Sequence, residues 1–178
     1  MEILDACVGL KWVLDEIDSD KARRLRDDFR IALRDFAAPD LFAAECAHAL
    51  TKGERKGLII DAGGLYDELR LDAPRFLSSI PVMARAVEIA RKARIAVYDC
   101  VYVALAEQER CKLITSDEKL IKNLQADFPF IVSLSSLPLS LKSLPCAFDG
   151  SADLAAWRGK EGVLLFHFLF FLNCSDSR

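Results

Sequence analysis

Ala96-Val97-Tyr98-Asp99-Cys100-Val101-Tyr102-Val103-Ala104-Leu105-Ala106 is apolar on every face when wound as a helix, which marks an element enclosed by its own protein. The run carries one carboxylate, Asp99, near its start. An ionised carboxylate in such surroundings is costly unless a partner, a helix N-terminus or a metal stabilises it. Working outward, three more acids punctuate apolar runs in the same way: Asp5, Glu45 and Asp117.

On the C-terminal side, Cys111-Lys112-Leu113-Ile114-Thr115 reads as a short strand, and Ser116 to about Ala126 as a helix. Asp117 then lies just past the carboxyl end of a strand, where open α/β sheets bind ligands. A second role stands open for it, because Thr115-x-x-Glu118 matches a capping box and Asp117 is itself a good cap. Phe130-Ile131-Val132 makes a last strand, and Ser133 to Pro138 closes the domain.

On the N-terminal side, Glu2 to Asp5 reads as a strand, followed at once by helical spacing from Cys7 to Leu14, so Asp5 repeats the Asp117 arrangement. Asp20 to Phe36 is expected to be one helix with the stripe Ala22, Leu25, Phe29, Leu33 and Phe36. Its charged residues read as a solvated face. Pro39-Asp40 opens a third helix, Leu41 to Leu50, with Asp40 as N-cap and Glu45 its only internal acid. His48 lies three residues on, a possible ligand but more simply a histidine hydrogen-bonded at the edge of a core. Lys52 to Gly57 reads as a polar turn, Ile60 to Leu71 as a helix, and Ala73 to Ile80 as a connection or short edge strand. Pro81 suits the first turn of the next helix, with Val82, Ala86, Ile89, Ala90 and Ala93 buried. Strands alternating with helices in this way give an α/β sandwich with a mainly parallel sheet.

The 178 residues are enough for one domain with a sizeable core and too few for two independent ones. A hydrophobic share of 52% against 29% charged excludes a disordered chain. The net charge of -3 argues against gripping nucleic acid by bulk positive charge, leaving local or metal-mediated contacts. None of the six cysteines (Cys7, Cys46, Cys100, Cys111, Cys146, Cys174) has a neighbour at zinc-binding spacing, so they read as reduced packing residues. Met1 to Asp5 has no signal-peptide character, and a cytoplasmic location is expected. From Leu139 to Arg178 the chain differs in kind, loop-like and then apolar from Gly162 to Leu172, about half a membrane span. This reads as a C-terminal extension, residues 139–178, beyond a domain of residues 1–138.

Like charges gathered in an enclosed pocket raise one another's pKa and destabilise the fold unless a cation neutralises them. With oxygen ligands only, Asp5, Glu45, Asp99 and Asp117 point to Mg²⁺ or Mn²⁺, and such a site suits phosphodiester hydrolysis. A phosphatase with an aspartyl nucleophile commonly wants a second Asp two positions on, which Asp5-Ala6-Cys7 lacks.

Four blocks of the chain resemble a known family. Ile3-Leu4-Asp5-Ala6 through Leu10-Lys11-Trp12, Ala38-Pro39-Asp40-Leu41-Phe42-Ala43-Ala44-Glu45, Tyr98 to Ala106, and Leu113-Ile114-Thr115-Ser116-Asp117-Glu118-Lys119-Leu120 look like those of PIN-domain ribonucleases, nearest to the VapC-type toxins of bacterial toxin–antitoxin pairs. The resemblance covers about Met1 to Pro138 and implies a PIN-like three-layer α/β/α sandwich. It places Asp5, Glu45, Asp99 and Asp117 on the family's acidic metal-binding positions, and Thr115 or Ser116 where the family often has a hydroxyl. It further implies Mg²⁺- or Mn²⁺-dependent cleavage of RNA, homodimers, and inhibition by a cognate antitoxin whose C-terminal segment lies over the site. Lys11, Arg55 and Lys119 are candidates to meet RNA phosphates. Cys100 stands where that family usually has Ala, and the extension has no counterpart. The competing readings are a non-catalytic PIN-fold regulatory or binding module, and a nuclease of DNA or of RNA maturation without a toxin role.

Overall fold

The computed structural model describes residues 1–138; the C-terminal extension, its apolar run, Cys146 and Cys174 lie outside the described residues. The elements in chain order are β1 (Glu2–Leu4), α1 (Ala6–Leu10), α2 (Ser19–Arg30), β2 (Phe36–Pro39), α3 (Phe42–Arg55), α4 (Ala62–Leu71), β3 (Arg75–Leu77), α5 (Met83–Ala93), α6 (Val97–Glu109), β4 (Leu113–Thr115), α7 (Glu118–Leu124) and β5 (Ile131–Ser133). Single 3-10 turns at Ile80–Val82 and Leu134–Ser136 complete them. The five strands form one sheet in the order β3-β2-β1-β4-β5, and every pairing is parallel. The predicted α/β sandwich is thus observed, with helices as its outer layers.

The sheet order places the site. From β1 the chain winds outward through β2 to β3, then crosses back to β4 on the other side of β1. The switch point lies between β1 and β4, so the crevice outside their carboxyl ends is where such a sheet receives a ligand. Asp5 directly follows β1, and Asp117 stands two residues after β4.

The organising run forms α6, and Cys100 to Ala106 are buried without a break. It packs against β1, β2 and β4 on one side and α5 on the other, so no face is left for water. Its first turn departs from the expectation: Tyr98 is 65% exposed. Of the stripe expected here, Val82 in the preceding turn and Ala86, Ile89 and Ala90 of α5 are buried, and Ala93 at its end is half-buried.

Several boundaries fall elsewhere than expected: α1 stops at Leu10 rather than Leu14, and α7 spans Glu118–Leu124 rather than Ser116 to about Ala126. The helix predicted to run to Phe36 ends at Arg30, with Ala32 in the left-handed region at φ 57°. The carbonyl of Asp28 accepts from the amides of Leu33 and Arg34, which turns the chain back toward the sheet. Phe36 then begins β2, wholly buried and in register with Glu2 of β1, while Leu33 is 63% exposed. A strand covered on both faces has no period-2 alternation to betray it, and Phe36 extended the helical stripe by coincidence of spacing. Asp40 does not cap α3, whose N-cap is Leu41; its Oδ1 accepts from the amide of Ser79 at 3.3 Å, holding the connection after β3. The predicted turn at Lys52 is a further helical turn, since α3 continues to Arg55 and the chain reverses at Gly57, where φ is 69°. That conformation strains any residue with a Cβ.

The core joins Ile3, Leu4, Phe36, Phe42, Leu105, Leu113 and Ile114, all essentially without exposure. Gly9 lets α1 lie against α3, because a Cβ there would stand 2.5 Å from the buried ring of Phe42. Cys7, Cys46, Cys100 and Cys111 are free thiols in or beside this core, as their contexts suggest.

Candidate active site

Asp5 is held from both sides of the sheet switch point. Its amide donates to the carbonyl of Ile114, and its Oδ1 accepts from the amide of Cys7 at 3.1 Å, capping α1. Its Oδ2 accepts from the Thr115 hydroxyl at 2.6 Å. Burial raises the Asp5 pKa above its ordinary value, against the lowering effect of these hydrogen bonds, and Asp117 raises it further.

Glu45 enters from the first turn of α3 and accepts from the Tyr102 hydroxyl at 2.5 Å. Burial, with Asp5 and Asp99 nearby, pushes its pKa up to about 7. Asp99 enters from the first turn of α6, where the aligned backbone amides favour a negative charge. Burial, then the charges of Asp5 and Asp117, push it up to about 6. Asp117 is the N-cap of α7, its Oδ1 accepting from the amides of Lys119 at 2.7 Å and Leu120 at 3.2 Å. Both roles left open for it are compatible, since only one carboxylate oxygen is used in capping.

All four carboxylates line one cavity of about 600 Å³. They come from four separate segments, each at or next to a helix N-terminus. A cavity of crowded acids with no lysine or arginine in its lining is a setting that a cation would neutralise. Oxygen donors of this kind suit a hard divalent ion. As placed, no three His, Cys, Asp or Glu side chains among the described residues stand close enough to hold an ion together. Three of the carboxylates are meanwhile tied to neighbours within the protein, Asp5 to Thr115, Glu45 to Tyr102 and Asp117 to the α7 amides. The donor set therefore fits a divalent cation, and closing on one requires side-chain movement of Glu45, Asp99 or Asp117.

The remaining candidates fall into different places. Thr115 is wholly buried behind Asp5; its hydroxyl accepts from the amide of Asp117 at 3.0 Å and donates to Asp5, so it is a positioning residue joining two acids. Ser116 is half-buried and does not line the cavity; its amide donates to the Cys7 Sγ at 3.2 Å. His48 is exposed at the rim of the same cavity rather than tucked at the edge of the core. Lys11 is buried, pairs with Glu16 at 2.8 Å and does not line the cavity. Arg55 is exposed at the end of α3, and Lys119 is exposed two residues from Asp117.

Tyr102 is the residue that the reading of the sequence missed. A phenol on a fully enclosed helix face requires a hydrogen-bond partner, and that requirement was the available signal. Nothing in the sequence named Glu45 as the partner, because the two lie 57 residues apart and meet only in the folded chain.

The role of Thr115 is testable. Thr115→Val is expected to lower kcat by about tenfold to a hundredfold and weaken Mn²⁺ binding, because Asp5 loses its orienting donor. Thr115→Ser should retain both. Calorimetric titration of Mn²⁺ beside the kinetics checks this; equal behaviour of the two variants would contradict the positioning role.

Comparisons with known proteins agree with this fold. The model of the PIN domain matches residues 3–125. Ribonuclease VapC3 of Pyrobaculum aerophilum is 37% identical over 98 residues, which cover 53% of this chain and 72% of the relative. The crystal structure of PAE2754 from Pyrobaculum aerophilum superposes with a TM-score of 0.56 at 20% identity, covering 75% of this chain and 90% of that one. A toxin–antitoxin complex from Klebsiella pneumoniae gives a chain with a TM-score of 0.51 at 15% identity, covering 75% of this chain and 98% of that one. With acids on four segments gathered at the switch point of a parallel sheet and a family match across most of that sheet, the chain belongs to the PIN domain family.

Proposed function

We propose that this protein is an Mg²⁺- or Mn²⁺-dependent endoribonuclease of the VapC type, the toxin of a toxin–antitoxin pair, with residues 1–138 as its nuclease domain. The observation that carries the reading is the single cavity lined by Asp5, Glu45, Asp99 and Asp117 outside the carboxyl ends of β1 and β4. The relationship to a protein named a ribonuclease gives the substrate class.

Asp5, Glu45, Asp99 and Asp117 would hold the divalent ion. A cation in that place supplies Lewis acidity for the attack of water on phosphorus and for the departure of the ribose oxygen. Asp5 is the fixed member, clamped by Thr115 and the Cys7 amide. Asp117 is oriented by the α7 amides that it caps, and Glu45 by the Tyr102 hydroxyl. Ile3, Leu4, Leu113, Ile114 and Thr115 of β1 and β4, next to these supports, are wholly buried.

The same reading gives the protein a homodimeric state, a cytoplasmic location and a cognate antitoxin that covers the site. Among the described residues no helix is long and apolar enough to cross a membrane. One observation favours the alternative of a non-catalytic PIN-fold module: the carboxylates, as placed, are not yet within joint coordinating distance.

Cleavage of a pool of single-stranded and structured RNA, with DNA alongside, separates these readings. The full chain is expected to cut RNA with Mg²⁺ or Mn²⁺, not with EDTA, and Asp5→Asn should lose at least about a hundredfold in rate. Metal binding without cutting would favour the module, and preferred cutting of DNA would remove the ribonuclease assignment.

A further inference from the structure

The carboxylate cavity poses a problem for a polyanionic substrate. Its lining holds four acids and no lysine or arginine, and the only nitrogen base there is His48. Like charges repel at these distances even through water, so the grip on a nucleic acid has to include something other than salt bridges within the cavity.

One aromatic side chain, Tyr98, lines the cavity. Tyr98 is 65% exposed although it opens the most enclosed helix of the fold, and it directly precedes Asp99. The aromatic pairs among the described residues all join phenylalanines, so the Tyr98 ring has no stacking partner within them. Leu41 and Ala44 add apolar surface to the same lining. An exposed aromatic face beside a phosphate-cutting centre suits a nucleobase, because stacking needs no charge and tolerates any base.

Resting on the ribonuclease reading, we propose that Tyr98 is a stacking platform for an unpaired base next to the scissile phosphate. A base in a duplex is already stacked on both faces and is not offered to the ring. The neighbouring position of Asp99 keeps the stacked nucleotide adjacent to the carboxylates, so the contact positions the bond to be cut.

The test uses a short fluorescent single-stranded RNA cut at one mapped bond, the same RNA with an abasic nucleotide on either side of that bond, and its duplex. Cleavage is measured with Mn²⁺, and binding by anisotropy with Ca²⁺, for the full chain, Tyr98→Phe and Tyr98→Ala. Tyr98→Ala is expected to lose about tenfold to a hundredfold in affinity and in kcat/KM on the intact RNA, while Tyr98→Phe stays near the parent. One abasic position should cost the parent a similar factor and cost Tyr98→Ala almost nothing. The abasic comparison on the parent protein needs no variant, so a folding defect cannot mask the result.

Equal losses for Tyr98→Ala on intact and abasic RNA, or no loss at all, would overturn the proposal. A change in the mass of Tyr98→Ala by light scattering would overturn it too, by making Tyr98 a subunit contact. A parent protein that cuts no RNA, yet binds a single-stranded RNA in Ca²⁺ about tenfold to a hundredfold more tightly than Tyr98→Ala does, supports the platform and removes the ribonuclease reading. One that cuts but is indifferent to Tyr98 does the reverse.

Discussion

Asp99→Asn should abolish metal-dependent cleavage, with a loss of at least about a hundredfold in kcat, while the protein without metal melts at the same temperature or a few degrees higher. The two halves of this result have one cause. Asp99 is half-buried, and its charge is opposed by those of Asp5 and Asp117, which is why its pKa stands at about 6. An amide of the same shape keeps the packing at the first turn of α6 and removes one of the repelling charges. With a divalent ion present the order reverses, because the parent gains binding energy that the variant cannot, and a ligand of the folded state stabilises by mass action. Thermal melts of both proteins with EDTA and with Mn²⁺, beside RNA cleavage, check the prediction. Full activity in the variant would remove Asp99 from the site.

A second large effect is expected from pH. The folded-state pKa of Glu45 is about 7 against an ordinary 4.5, and that of Asp99 is about 6 against 3.8. Between those limits the folded protein binds more protons than the unfolded chain, so stability falls as pH rises. The contribution is fully present below about pH 4 and is lost as pH rises through about 6 to 7. Solvent screening of two half-exposed carboxyls holds the effect to about 1–2 kcal/mol. Metal binding must carry the opposite sign, because the ion competes with those protons. Melting temperature in EDTA should therefore drop from pH 5 to pH 8, while the gain on adding Mg²⁺ or Mn²⁺ grows over the same interval, as should cleavage, by up to about tenfold per pH unit for each proton displaced. A melting temperature in EDTA that rises through this interval would show that Glu45 and Asp99 are not crowded carboxyls.

The legibility of this protein differs from segment to segment. Asp5 and Asp117 could be read as candidate site residues because each is a single acid just past the end of a buried strand, although each also caps the helix that follows. Asp99 and Glu45 could be read because each is the lone acid within its apolar helical run. The β2 strand could not: Phe36-Ala37-Ala38-Pro39 is buried on both faces and carries no alternation, and its Phe36 fell in step with the helix before it. Asp40 had the identity of a cap, but the same carboxylate was claimed by the Ser79 amide from a connection 39 residues away. Lys11 had the charge of a phosphate contact, and local packing paired it with Glu16.

Taken by itself, the sequence determined the alternation of strands and helices, the enclosure of α6 and the identity of the four acids, since each of these rests on local spacing and on the cost of burying a charge. The tertiary structure alone decided the sheet order, and with it the convergence of four distant segments on one cavity. It also decided that Thr115 lies behind Asp5, that Tyr102 holds Glu45 and that Tyr98 faces outward. Those facts depend on which elements become neighbours across the sheet, a property of the closed fold that no spacing along the chain encodes.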